Sequence, residues 1–264
     1  MDNLLLVIRK IITSCDKYSE DVDLAIINVG NKSGNEIKTI IRTVEKDVTK
    51  TLDELVVDGI TSKGSRFRKS VFEYASTDAK NKNNKLIVEV NSFANPFPFQ
   101  KLSIKSMLYD FLMQTGNTAY VEQYDLQPFI INVLNKEQTL VEKLVSLIRF
   151  SFDVNTVESI SKKIRHFYDL YFLVNDVECA KYIQSAGFKR KFDEVLAHDK
   201  VIFNDPTGWE VKPFAESPLL IDFDGIWEKL KSTYKLELSA LSYSPIPDEG
   251  LIAQSFFELT KLVK

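Results

Sequence analysis

The feature that most constrains this chain is a pair of aspartates, two residues apart, at the mouth of an apolar run. Tyr18-Ser19-Glu20-Asp21-Val22-Asp23-Leu24 leads into Ala25-Ile26-Ile27, and Gly30 closes the run. Short, apolar and rich in good strand formers, the stretch reads as a buried β-strand. Alternation sends Asp21 and Asp23 to one face and Val22, Leu24 and Ile26 to the other. Each residue advances a strand by about 3.3 Å, so the two Cα atoms lie about 6.5–7 Å apart. Carboxylates at that spacing can hold Mg²⁺, which takes one or two carboxylates plus substrate phosphates in preference to a full protein cage. An acidic strand entrance facing solvent is the alternative that the tripeptide alone leaves open.

Composition narrows the chemistry. Only Cys15 and Cys179, and only His166 and His198, occur in 264 residues. That excludes a disulfide framework, a thiolate zinc site and a histidine-rich metal site. Any metal would be held by oxygen. A net charge of −3 argues against a general nucleic-acid binder, whose affinity comes from phosphate neutralisation. The 44% hydrophobic and 27% charged content is that of a soluble globular protein. No apolar run approaches the ~20 residues that span a bilayer. The acidic start, with no small-residue cleavage site, makes a poor signal peptide. No membrane partner and a cytoplasmic location are therefore expected.

Along the chain, residues 3–14 read as a helix and 22–28 as a strand. A long helical pattern follows Gly34 through Ile37, Ile40, Ile41, Val44, Val48, Leu52, Leu55 and Val56. The stretch from Gly59 to Arg68 is a basic turn, counted with Lys63, Arg66, Arg68 and Lys69. It reads as a solvated loop, with a phosphate contact as the alternative. Residues 70–75 alternate like a strand, 78–85 form a polar hairpin connection, and 86–91 make a second core strand. Glu89 interrupts that strand on the face shared with Ile87 and Asn91. A carboxylate there is costly to bury unless paired or metal-bound. A strand with one wet face is the plain alternative. A helix over 104–113 and a strand over 129–134 complete an α+β half, expected to span 1–135.

From 136 to 264 the pattern becomes helical, as expected for a helical bundle domain. Leu140, Leu144, Leu147 and Ile148 form a broad stripe with Lys143 at its edge, ordinarily a lysine whose ammonium snorkels to water. A second helix buries Ile164, Phe167, Tyr168 and Tyr171, while Arg165 and Asp169, four apart, share another face. Helices are expected over 179–198, with a basic Lys189-Arg190-Lys191 cluster, and over 223–235 and 248–263. The intervening 203–222, rich in Pro, Gly and Asp, reads as a loop.

Three separated pieces then match one pattern. Lys17-Tyr18-Ser19-Glu20-Asp21-Val22-Asp23-Leu24, Thr139-Leu140-Val141-Glu142-Lys143-Leu144 and Arg165-His166-Phe167-Tyr168-Asp169-Leu170-Tyr171 occur in that order. Together they resemble the AbiEii/AbiGii-type toxin family of the nucleotidyltransferase superfamily. That family's pattern is approximately R-[FY]-S-E-D-[IL]-D-L, then R-T-x-x-E-K, then R-H-x-Y-D-L. The resemblance implies a nucleotidyltransferase-like mixed sheet with flanking helices, followed by helices. Asp21 and Asp23 look like its metal-binding pair, and Lys143 and Asp169 like the lysine and aspartate that the helical half adds. Glu89 is similar to the third strand carboxylate of the wider superfamily.

The resemblance further implies Mg²⁺ or Mn²⁺ as cofactor, an NTP substrate, an antitoxin partner and, in some members, a tRNA acceptor. Catalytic residues are then expected at Asp21, Asp23, Glu89, Lys143 and Asp169, with nucleotide contacts from Ser19, Lys143 and Arg165. Metal ligation falls to Asp21, Asp23 and Glu89. One departure stands out. The family places a Gly-Gly-Thr/Ser phosphate grip about fifteen residues before its Ser-Glu-Asp. Here those positions fall on Leu4-Leu5-Leu6, and no glycine precedes Gly30. A catalytically inactive protein that binds nucleotide, RNA or a protein through the same cleft is the alternative expectation.

Overall fold

The computed structural model describes residues 5–8, 21–27, 29–74, 85–94 and 97–264. Ser19 and the polar connection at 78–84 lie outside the described residues, as does Leu4. The N-terminal stretch expected to be helical is instead a strand at its described positions, β1 (Leu5–Ile8), paired antiparallel with β2 (Asp21–Ile27). A short apolar run fits a buried strand as well as a helix face, and strand pairing settles the matter.

Helix α1 (Gly34–Val48) opens on a capping box. The Ser33 hydroxyl accepts from the Glu36 N–H, and the Glu36 carboxylate accepts from the Ser33 N–H at 2.8 Å. The helix stops at Val48, well short of the expected Val56. The Thr49 hydroxyl donates to the Glu45 carbonyl, and a turn leads into β3 (Asp53–Leu55). The backbone of β3 is taken up by pairing with the second member of the next group, so helical periodicity there is overridden. That group is β4 (Ser62–Lys63), inside the expected loop, and β5 (Phe67–Glu73). Strands β6 (Lys85–Asn91) and β7 (Phe99–Ile104), helices α2 (Met107–Gln114) and α3 (Ala119–Gln123), and strand β8 (Phe129–Leu134) follow.

All eight strands join one mixed sheet in the order β3-β5-β6-β2-β1-β8-β7, with β4 paired beside β5. Two pairings are parallel, β2 with β6 and β1 with β8. Leu24 and Ile26 of β2 pack with Val88 and Val90 of β6, Phe72 of β5, and Ile37 and Ile41 of α1. The helix thus covers one face of the sheet and leaves Asp21 and Asp23 on the other.

The second unit, Lys136–Lys264, is described separately; the first takes β1 and Asp21 to Asn135. Its described elements are helices, among them α4 (Lys136–Ser151), α5 (Thr156–Ser161), α6 (Arg165–Val174) and α7 (Val177–Ile183). Next come α8 (Ala186–Ile202), α9 (Pro218–Ile221), α10 (Phe223–Leu241) and α11 (Glu249–Lys261). The helix expected over 179–198 is two helices, separated at Gln184-Ser185. The expected loop at 203–222 carries two 3₁₀ turns and α9.

Leu140, Val141, Leu144, Val145, Leu147 and Ile148 of α4 are all fully buried. A helix apolar almost all round belongs at a centre, and α4 packs against α5 through α9. Phe167, Phe223, Trp227 and Phe256 form an aromatic cluster beside it, with centroids 4.8–6.2 Å apart. Among the described residues, no helix is long and apolar enough to cross a membrane.

Candidate functional site

The parallel register of β2 and β6 sets Asp23 directly beside Glu89, and the antiparallel register of β5 sets Lys69 beside Glu89. Directly paired residues share a face, so these three lie abreast across neighbouring strands, each step about 4.8 Å. Asp21, two residues before Asp23, shares that face, and so does Asn91, two after Glu89. The result is a polar island on the sheet face away from α1.

Asp23 is 4% exposed, yet its carboxylate has defined company. Asn91, itself buried, donates from Nδ2 to Asp23 Oδ1 at 3.4 Å, while its own Oδ1 accepts from the Ala94 N–H at 3.1 Å. The Ala94 contact fixes which way the amide faces, because only the carbonyl oxygen can accept there. The amino group is thereby aimed at Asp23. Glu89 meets Lys69 Nζ at 2.8 Å, with both side chains partly open to solvent.

The basic turn is sorted between the two faces. Lys63 and Arg68 both pair with Glu45 of α1, Lys63 at 2.9 Å, and Ser70 completes the cluster. Burial alone would raise the Glu45 carboxyl; hydrogen bonds from Ser70, Lys63 and Arg68 outweigh it and hold it below its ordinary value. Of Lys63, Arg68 and Lys69, only Lys69 stands among the carboxylates.

In the helical unit, Lys143 of α4 and Asp169 of α6 are both buried and meet at 2.7 Å. The lysine does not snorkel. Its partner lies inside, and a buried charge must be paired where it sits. Arg165 reaches Glu237 of α10 at 3.8 Å, with both side chains well exposed. Tyr171, expected in the core, is only partly buried; Leu170 and Leu173 are buried instead. The Lys189-Arg190-Lys191 cluster is spent on Asp193 and Glu194 along the same helix, pairs of small energetic worth.

Asp21 and Asp23 offer hard, acceptor-only oxygens, which fit Mg²⁺ or Mn²⁺ completed by substrate oxygens. Among the described residues, no three His, Cys, Asp or Glu side chains gather into a ligand set of their own. A closed all-protein cage is thus not what this chemistry fits. Asn91 is the polar-island residue that sequence reasoning left without a role, and Lys69 carried only the phosphate-contact alternative of the basic turn. Their signal was present: Asn91 and Glu89 share a face by alternation, and the Phe67-Arg68-Lys69-Ser70-Val71-Phe72 stretch is a strand in which one basic residue faces each way.

A mixed sheet that displays an Asp-x-Asp strand beside a carboxylate-bearing parallel neighbour is compatible with the nucleotidyl transferase class. The family model described as "Nucleotidyl transferase AbiEii toxin, Type IV TA system" matches residues 12–248, and the chain belongs to that family. No curated protein matches the chain.

Proposed function

We propose that this chain transfers a nucleotidyl group from an NTP to an acceptor hydroxyl, with tRNA, the acceptor of some family members, as the candidate to test, in a system that includes a cognate antitoxin. The observation that carries the reading is the row of Asp23 and Glu89 across β2 and β6, with Asp21 on the same face. Asp21 and Asp23 would hold the divalent cation; the expected third ligand, Glu89, is not gathered with them into a three-carboxylate set and falls to the role of base. The cation, when bound, would supply charge neutralisation of the triphosphate and polarisation at the α-phosphorus.

The remaining roles fall to the chain itself. The acceptor oxygen bonds to the α-phosphorus, the bond to the β-phosphate oxygen breaks, and pyrophosphate leaves. A carboxylate, Glu89 in this scheme, takes the hydroxyl proton. Asn91 steadies Asp23 as an oxygen donor. Lys143 neutralises phosphate charge, Asp169 orients it, Arg165 adds a phosphate contact, and Ser19 completes the nucleotide contacts. The joint action of Lys143 and Asp169 with the aspartate pair is part of the proposal. The family match and the occurrence of all four residues in their motifs support it.

The test is to incubate the protein with labelled NTPs, Mg²⁺ and total RNA, comparing wild type with Asp23→Ala, Lys143→Ala and Asp169→Ala. Transfer by wild type that all three substitutions abolish, with folding intact, is the expected result. Transfer surviving Lys143→Ala and Asp169→Ala would remove the helical unit from the chemistry. Leu4-Leu5-Leu6, at the positions where the family's Gly-Gly-Thr/Ser grip is expected, favour a second reading, a binding protein of the same family without catalysis. Complete absence of transfer across all four NTPs, together with retained nucleotide binding, would establish that one.

A further inference from the structure

We infer that Lys69 is a polyphosphate-binding residue of this site, parked on Glu89 until a triphosphate arrives. The inference deepens the nucleotidyl-transfer reading and rests on it. Three carboxylates, Asp21, Asp23 and Glu89, share one sheet face, and the register of β5 against β6 sets the Lys69 side chain beside Glu89 on that face. Its ammonium lies 2.8 Å from Glu89, yet the lysine side chain remains 30% exposed and the glutamate 19%. A pair with that much access to water is held weakly and can exchange partners.

Two neighbouring cations are committed elsewhere. Lys63 and Arg68 are bound to buried Glu45 on the opposite face, and Lys63 also meets Glu54. A compact ammonium on a flexible four-carbon stem is the side chain suited to follow a phosphate as a point charge. Its departure also frees the Glu89 carboxylate at the moment when the reaction needs one.

The exchange makes a prediction of opposite signs from the two halves of one ion pair. Inorganic triphosphate, in EDTA, would be titrated calorimetrically into the full chain as wild type, Lys69→Met, Lys69→Arg and Glu89→Gln. Lys69→Met should weaken binding by about tenfold or more, the scale of one charge-assisted contact. Lys69→Arg, which keeps the charge, should retain most of it. Glu89→Gln removes the competitor and should tighten binding several-fold.

A cross-strand pair that only braces the sheet gives no such split. Unchanged binding in Lys69→Met overturns the inference, as does weakened or undetectable binding in Glu89→Gln. Melting curves of each variant separate lost binding from lost fold, and the near-isosteric Glu89→Gln decides the matter if Lys69→Met does not fold. The two readings fail separately. Label transfer that depends on Asp23 alongside triphosphate binding indifferent to Lys69 keeps the enzyme and removes this role; Lys69-dependent binding without transfer does the reverse.

Discussion

Lys143 and Asp169 are a buried ion pair in a core dominated by Leu, Val, Ile and aromatic side chains. Taking one partner away leaves the other charge buried and uncompensated, which costs several kcal/mol. Lys143→Met is therefore expected to lower stability by about 3 kcal/mol. The double substitution Lys143→Met with Asp169→Leu should recover most of that, since both charges are then replaced by apolar volume. Urea unfolding measures both. If the double variant regains stability but transfers no label, the pair is kept for chemistry and not for the fold. The periodicity of α4 placed Lys143 at the stripe's edge, but no periodicity could supply its partner 26 positions later. That came from the resemblance and was given a distance by the structure.

At the scale of elements, α1 and its neighbours show how an inward charge can redirect a helix. Val48 was expected on the core stripe and is 46% exposed, whereas Glu45 is 3% exposed. Ile37, Ile41 and Glu45 run down the buried face at intervals of four. Lys63, Arg68 and Ser70 draw the carboxylate in, tying α1 to β4 and β5. A carboxyl held below its ordinary 4.5 adds stability that is fully present above that value and is lost as pH falls through the lowered one. Acid titration of wild type should therefore show a loss of stability below pH 4.5 that is reduced in Glu45→Gln. Thermal melts between pH 3 and 6 check this, and parallel acid limbs in the two proteins would refute it. Strands β2, β5, β6 and β8 and the long helices were legible from alternation and periodicity. β1, β3 and β4 were not, because their residues fit other patterns until neighbouring strands claim their backbone groups, and most of β7 matched none. The polar island was half legible: its carboxylates stand out along single strands, while Lys69 and Asn91 acquire meaning only through register.

Among the described residues the hydrophobic side chains gather into three clusters: one between α1 and the sheet, a small one of Val7, Ile27 and Leu134 with Phe99, and one around α4. The last is the largest and lies entirely within Lys136–Lys264. That segment, expressed alone, is expected to give a helical circular-dichroism spectrum and a single cooperative melt. A broad, non-cooperative loss of signal would show that it needs the rest of the chain. Ser151 and Ser217, buried and hydrogen-bonded to each other at 2.8 Å, and Tyr234, donating to the Pro247 carbonyl at 2.8 Å, would keep their partners inside the fragment.

The Lys143–Asp169 contact also works as an index mark. A cylinder of Leu, Val and Ile can slide along its neighbours at little cost, since one greasy ridge replaces another. One turn of travel moves a side chain by about 5.4 Å, twice the length of the contact that joins the ammonium to its carboxylate. Every displaced setting of α4 therefore strands two charges in oil. The helix has one permitted stop.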